Sequence, residues 1–395
     1  MTPVRAALGA AVLATAVSAA AHAQPRFADV SARLPAKPAP GHAMNAKAAD
    51  VTGDGIADLV IAMEREPNRL LVGDGRGGFG DGSDRLPRVA RDSEEVQLAD
   101  VDGDGDLDIV VANEDDLLPE LYLNDGRGRF SDASGRIAHR VKANAVVVLD
   151  ANRDGHPDLF FGGDKVSSLW MGDGRGGFRD ESIARLPATY GGTQHVAVLD
   201  ANRDGAPDLL LGNEDRNQLY LNDGAGRFAL APAEALPRPT AGPEETRDVE
   251  VADFDGDGVN DLFLANVRLW NPRAVPRDRL LLGDGRGGFR DASDRLPPIA
   301  ENTLAALAID LDDDGRTDLV TVSVGDLASP DPAGPVRVLI NAGGGRFEER
   351  SAEWLPAGTR ARGFDVTPID TDRDGRTDLF ISGRGGPDLL LRRVR

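Results

Sequence analysis

Short apolar runs recur along this chain, separated by tight polar punctuation. Stretches such as NAVVVLD (144–150) and QHVAVLD (194–200) alternate apolar with small or polar positions, the period of a half-buried strand. An acidic loop follows each. Next comes a near-continuous apolar run, DLFFG (158–162) or DLLLG (208–212), which reads as a buried strand. A third run leads into LYLNDGRGRF (121–130) or LLLGDGRGGF (280–289). There Asn-Asp-Gly or Gly-Asp-Gly marks a hairpin, because glycine accepts positive φ. A fourth strand begins at the Phe and runs toward sequences like DASDRLP (291–297).

The whole pattern occurs seven times. The first Asp of the acidic loop falls at Asp50, Asp100, Asp150, Asp200, Asp253, Asp310 and Asp370, giving spacings of 50, 50, 50, 53, 57 and 60 residues. Four short strands repeated at such a period predict an all-β fold, a β-propeller of seven four-stranded antiparallel blades. A solenoid would also stack repeats, but the chain ends favour a ring. The seventh repeat stops at DLLLRRVR and lacks its fourth strand, while PRFADVSARLP (25–35) near the start has that strand's sequence. The expectation is that the N-terminal strand completes the last blade and removes its exposed edge.

The loops have the spacing of a hard-cation site. Oxygens at positions 1, 3 and 5, a backbone carbonyl at 7 and a carboxylate at 9 can wrap one ion, and Gly at 6 allows the sharp turn. Position 1 is the Asp series already named. Position 3 is Thr52, Asp102, Asn152, Asn202, Asp255, Asp312 and Asp372; position 5 is Asp54, Asp104, Asp154, Asp204, Asp257, Asp314 and Asp374. The carbonyl at 7 belongs to Ile56, Asp106, His156, Ala206, Val259, Arg316 and Arg376; position 9 is Asp58, Asp108, Asp158, Asp208, Asp261, Asp318 and Asp378. All-oxygen ligation in an irregular loop favours Ca²⁺, in up to seven structural sites. An EF-hand is rejected. Position 12 is apolar or small, for example Ile61, Val111 and Phe161, where an EF-hand needs Glu, and a strand follows instead of a helix. Thr52 makes the first site poorer by one carboxylate.

Taken together, the D-x-[DN]-x-DG-x-x-D-L loops, the L-Y-x-N-x-G-x-G-x-F turns and the F-x-D-x-S strands resemble FG-GAP/VCBS repeats, from Arg26 to Arg395. The resemblance implies an integrin-α-like propeller. It leaves function open, because that family includes adhesion receptors, lectins and polysaccharide lyases.

Composition narrows the partners. The 395 residues carry a formal net charge of −21, have no Cys, and include 47 Gly and 25 Pro. Disulfides and thiolate chemistry are excluded, and the acidic balance disfavours nucleic acid and anionic lipid. The start reads as a cleaved signal peptide over residues 1–23, with Arg5, an Ala-rich apolar stretch and AHA ending at Ala23. Residues 24–395 would then form one exported domain, periplasmic or extracellular and monomeric. No later segment is apolar enough to span a bilayer as a helix.

For a binding face, alternation places positions five and three before the loop Asp in the central channel. The first ring is Asn45, Glu95, Ala145, His195, Asp248, Ala305 and Asp365; the second is Lys47, Gln97, Val147, Ala197, Glu250, Leu307 and Thr367. Glu95, His195, Arg247 and Asp248 form a candidate cluster at the channel end, and Trp270, in a long insertion with Arg268 and Arg273, is a candidate for stacking on a sugar or peptide. No nucleophile, phosphate-loop or dinucleotide motif occurs in its proper context. The leading expectation is a calcium-stabilised module that binds a glycan or protein ligand and is not an enzyme. A calcium-dependent polysaccharide lyase using the channel-end cluster and a purely structural repeat protein are the alternatives.

Overall fold

The structure, a computed structural model, describes residues 25–115, 118–137, 141–188, 191–240, 242–269, 271–325, 329 and 331–394. The segment read as an export signal and Trp270 lie outside the described residues. The fold is all-β, and among the described residues helix is limited to single turns such as Ser83–Arg85 and Ser182–Arg185. Among the described residues, no helix is long and apolar enough to cross a membrane.

One four-strand antiparallel unit recurs. The first strands are Ala43–Ala49, Ala90–Ala99, Ala143–Leu149, Thr193–Leu199, Thr246–Ala252, Asn302–Ile309 and Gly363–Ile369. Each second strand starts at the ninth loop residue, as in Asp108–Asn113 or Asp208–Asn213, and nearly all of it is buried. Four units are separate four-stranded sheets. The first two are merged into one larger sheet, because the lengthened strands Asp58–Pro67 and Ala90–Ala99 pair with each other at their ends. In the sixth unit, Arg360–Ala361 adds a fifth strand.

The N-terminal strand Phe27–Asp29 pairs antiparallel with the C-terminal strand Leu389–Arg393, in the register Phe27↔Arg393, Ala28↔Arg392 and Asp29↔Leu391. The ladder extends beyond it through Val30 N–H to the Leu390 carbonyl at 2.9 Å and Val394 N–H to the Arg26 carbonyl at 2.7 Å. Phe27 is fully buried against Trp354, with ring centroids 5.9 Å apart.

The core is divided among the gaps between units. Val60, Leu70, Ile109 and Tyr122 fill the gap between the first and second units. Phe160, Leu169, Leu209 and Tyr220 fill that between the third and fourth, and Phe254, Phe263, Leu319 and Phe347 that between the fifth and sixth. Ile61 and Leu71 of the first unit pack with Phe380 and Leu390 of the seventh. Each sheet is therefore apolar on both faces, which is why its second strand reads as a continuous apolar run. Hydrogen bonds across the same gaps link each turn to the loop before it. Asn124, Asn222 and Asn341 donate through Nδ2 to the carbonyls of Val51, Ala151 and Phe254 at 3.0, 2.8 and 2.8 Å. Gly176 and Gly287 N–H reach Val101 and Ala201, and Gly77 of the first unit reaches Thr371 of the seventh, all at 2.9 Å.

Candidate functional sites: the acidic loops and the axial cavity

All seven acidic loops fold alike. The position-1 carboxylate accepts the N–H of the glycine at position 6, for example Gly55 to Asp50 Oδ2 at 2.7 Å and Gly375 to Asp370 Oδ2 at 3.0 Å. The position-5 carboxylate accepts the N–H of position 7, as in Asp106 to Asp104 at 3.0 Å. The glycine at 6 has φ between 78° and 94° in every copy, so the left-handed turn expected there is present. Position 4 is left-handed as well, even where it is Arg153, Arg203, Asp313 or Arg373, with φ of 59–62°. A side chain there costs about 1 kcal/mol or more of backbone strain, which the carboxylate hydrogen bonds to the loop N–H groups offset.

The position-9 Asp is buried in every copy. In the second unit, Asp108 Oδ2 accepts Val101 N–H at 3.0 Å and Oδ1 accepts Asn124 N–H from the third strand at 2.9 Å. The same double acceptance recurs at Asp158, Asp208, Asp261, Asp318 and Asp378. This residue ties the loop to two strands, a role that sequence spacing alone does not disclose. Burial pushes Asp108, Asp158, Asp208, Asp261 and Asp318 up to about 6, against the opposing pull of their backbone donors.

Position 3 is the test of whether a cation fits. Thr52 Oγ1 and the Oδ1 atoms of Asp102, Asp255, Asp312 and Asp372 are buried and have no hydrogen-bond partner. Buried polar atoms are nearly always satisfied. Five equivalent orphaned oxygens at the same loop position are what a missing hard cation would leave. In the second, fifth and sixth loops, carboxylate oxygens at positions 1, 3 and 9 (Asp100, Asp102 and Asp108 in the second) lie within 4.8 Å of one another; in the seventh the trio is Asp370, Asp372 and Asp374. In the third and fourth loops the amides of Asn152 and Asn202 bond instead to Asp154 and Asp204. The residues present fit a metal ion: side-chain oxygens at 1, 3, 5 and 9, with the carbonyl at 7, would supply an all-oxygen shell.

The second site is a cavity of 180 Å³ among the first strands, at the end away from the acidic loops. Asn45, Glu95, His195, Asp248 and Asp365 line it, as do Lys47, Glu250, Leu307 and Thr367. Except for Leu307, the apolar members of the two expected rings go elsewhere: Ala145, Val147, Ala197 and Ala305 are buried in the gaps between units. Their small or branched apolar side chains gain more from packing than from lining a polar cavity.

The structure adds a third ring that alternation misses. Every first strand has a register shift between the residues seven and five before the loop Asp, for example between Ser93 and Glu95 or between Thr193 and His195. The residue six before is a β-bulge, unpaired and re-aimed. Met44, Glu94, Asn144, Gln194, Arg247, Leu304 and Phe364 thereby join the lining. Strict alternation would have put them on the core face. The available signal was polarity at this position in four copies, beside small buried residues such as Ala43, Ser93 and Ala143 one place earlier.

The ring five before the loop stitches neighbouring first strands together. Asn45 Oδ1 accepts Val96 N–H at 3.2 Å, Glu95 Oε2 accepts Val146 N–H at 3.0 Å, and His195 Nδ1 accepts Val249 N–H at 3.2 Å. Asp248 Oδ2 accepts Ala306 N–H at 2.7 Å, and Asp365 Oδ2 accepts Ala46 N–H at 3.2 Å, joining the seventh unit to the first. The first strand is the inner edge of its sheet, and these side chains satisfy its outward N–H groups. Glu95, His195 and Asp248 line the same cavity, with His195 Nδ1 3.3 Å from Asp248 Oδ1, but acceptor atoms of all three are engaged by backbone.

Charge in the cavity is unevenly matched. Burial works to lower the Lys47 ammonium, but Asp365, Glu95, Asp248 and Glu250 around it outweigh burial and hold it above its ordinary range. Burial raises Asp365 to about 6 and lifts Glu250 well above the usual carboxylate range, with Asp248 adding to the latter. Burial also raises Glu94 to about 8, although Arg247 pulls it back. Arg247 donates to Gln194 Oε1 and is drawn toward Glu94, Glu245 and Glu214.

Comparison with known proteins agrees with this geometry. The sequence profile of the FG-GAP-like repeat matches residues 50–111, 100–161, 150–211, 200–264 and 324–381. No curated protein matches the chain. Among solved structures, the chain is similar to an Agrocybe aegerita lectin described as recognising non-reducing terminal N-acetylglucosamine, at 19% identity and a TM-score of 0.50, covering 79% of this chain and 82% of that one. It is also similar to BBS1N, solved in complex with ARL6DN, at 10% identity and a TM-score of 0.55, covering 94% of this chain and 98% of that one. The extracellular domain of a hybrid two-component system from B. thetaiotaomicron matches at 12% identity and a TM-score of 0.53, covering 92% of this chain and 41% of that one. At these identities the likeness is one of fold, β-propeller-like.

Proposed function

This chain belongs to the FG-GAP-like repeat family, and from that premise we propose that it is an exported, calcium-stabilised propeller of seven blades that acts as a binding module for a glycan or protein ligand. In this reading residues 24–395 form one monomeric domain, closed by the N-terminal strand in the blade of the C-terminal repeat. The pairing of Phe27–Asp29 with Leu389–Arg393, and the bonds from Asp365 to Ala46 and from Gly77 to Thr371, support closure. The acidic loops hold Ca²⁺ as structural staples, one for each turn between first and second strands.

The observation that carries the calcium reading is the recurrence of a buried, unpartnered oxygen at position 3 in five loops. A single catalytic metal would not need equivalent sites in repeated turns. The ligand-binding reading rests on the polar-lined cavity at the opposite end. Its residues Glu95, His195 and Asp248 serve as inter-strand acceptors, which favours binding over acid–base chemistry; Arg247 and Glu94 line the cavity beside them. A glycan array probed with and without Ca²⁺ tests the reading. Binding that is lost on chelation together with the fold supports it, and the absence of any glycan or protein ligand for the calcium-loaded protein overturns it.

A further inference from the structure

The axial cavity is two-sided. The polar arc at its mouth is Glu94, Asn144, Gln194 and Arg247, contributed by the second to fifth units. Opposite lie Met44, Leu304 and Phe364 from the first, sixth and seventh units. Leu304 is buried in an apolar cluster with Val267 and Val324, against which Phe364 packs, so this wall is backed by core side chains. Arg384 lies over the Phe364 ring at 5.4 Å and is itself fixed by Glu64, which holds the ring in place.

The mouth also contains an acceptor without a partner: Asn144 Oδ1 is buried and unpartnered while its Nδ2 donates to the Thr193 carbonyl at 3.3 Å. The Glu94 carboxyl beside it has Arg247 as its opposing charge. Below them, Glu95, Asp248, Glu250 and Asp365 surround the single ammonium of Lys47. Counting the lining groups, five carboxyls face two cations, Lys47 and Arg247. Such a cavity is short of positive charge.

We propose that this cavity is a binding site for a small hydroxylated ring that carries a free ammonium group, the chemistry of an amino sugar. The ammonium is placed at Glu94, the hydroxyls meet the Asn144 amide, and the apolar face of the ring lies against Leu304 and Phe364. Amides both donate and accept, which suits hydroxyls; a carboxylate-bearing ligand would meet one arginine and five acidic groups. Ligand sites of this kind combine an apolar wall with a few convergent polar groups. The inference rests on the binding-module reading and narrows it to a ligand class.

The test is calorimetric titration of the full-length calcium-loaded protein with glucosamine, N-acetylglucosamine and glucose. Glucosamine is expected to bind at least about tenfold more tightly than the other two, the scale of one charge-assisted hydrogen bond. Glu94→Gln should remove that preference while its thermal melt matches the parent protein. Asn144→Ala, which leaves every charge in place, should weaken all three sugars together. Equal affinity for the three sugars overturns the proposal, as does undiminished glucosamine binding by Glu94→Gln. A protein that binds neutral glycans on an array yet ignores glucosamine overturns this proposal and leaves the binding-module reading standing. Loss of every glycan response would remove both.

Discussion

Truncating Phe27 to alanine tests whether the two chain ends hold the molecule together. Phe27 has no solvent exposure and packs with Trp354, Leu391 and Val338. Its backbone pairs with Arg393, and Arg26 beside it stacks over Trp354 at 4.3 Å. Removing a buried Phe side chain costs about 3–5 kcal/mol, as transfer energy plus the cavity left behind. Unfolding entropy near the midpoint is about 2.1 cal/mol/K per residue, or roughly 0.8 kcal/mol/K over about 370 residues. A 4 kcal/mol loss therefore lowers Tm by about 5 °C. Differential scanning calorimetry in saturating Ca²⁺ measures this directly. Removing residues 24–36 as a whole should go further. That deletion exposes the Leu389–Arg393 edge and removes the three-residue ladder, so sedimentation should reveal self-association. A Phe27→Ala protein that melts within about 1 °C of the parent, together with a monomeric deletion variant, would refute the argument that the N-terminal strand is part of the cooperative fold.

Calcium should raise Tm and excess EGTA should lower it, since each native-only site adds about 2.7 kcal/mol at a hundredfold excess over its Kd; a melt insensitive to both would refute the staple. Asp208→Ala strands two buried donors, Ala201 N–H and Asn222 N–H. It should cost about 2–6 kcal/mol even in EGTA, at about 1–3 kcal/mol for each unsatisfied group, measured by urea unfolding. Asp278 is pushed up to about 7 by burial, despite accepting Asn266 N–H and the Thr303 hydroxyl. Its folded form keeps a proton that the unfolded chain releases, so this group makes stability fall as pH rises from about 4 to about 7. The Tm of Asp278→Asn relative to the parent should therefore climb between pH 5 and pH 8; a difference independent of pH would contradict the assignment.

Much of this molecule is set by local rules that one sequence displays. Alternation before Asp150 and the apolar run after Asp158 become the paired strands Ala143–Leu149 and Asp158–Gly163, because the strand period of two is a property of the chain itself. The glycine at loop position 6 is left-handed in all seven copies because the turn admits no Cβ there without strain. The missing fourth strand of the last repeat and its counterpart at Phe27 were likewise legible from one unit's incomplete pattern. What the tertiary structure alone decided concerns groups whose partners lie in another unit or on another strand. The bulge that turns Glu94, Asn144 and Gln194 into the cavity breaks the alternation from which side-chain direction is inferred. The acceptor role of Glu95, His195 and Asp248 exists only because the next unit presents an unpaired N–H. The double duty of the ninth loop Asp depends on a third strand 14 to 23 residues further on. The orphaned oxygens at position 3 are visible only after every neighbouring donor has been placed. Periodicity fixes how a segment folds, but hydrogen-bond satisfaction is a property of the assembled neighbours, and it is there that these sites are determined.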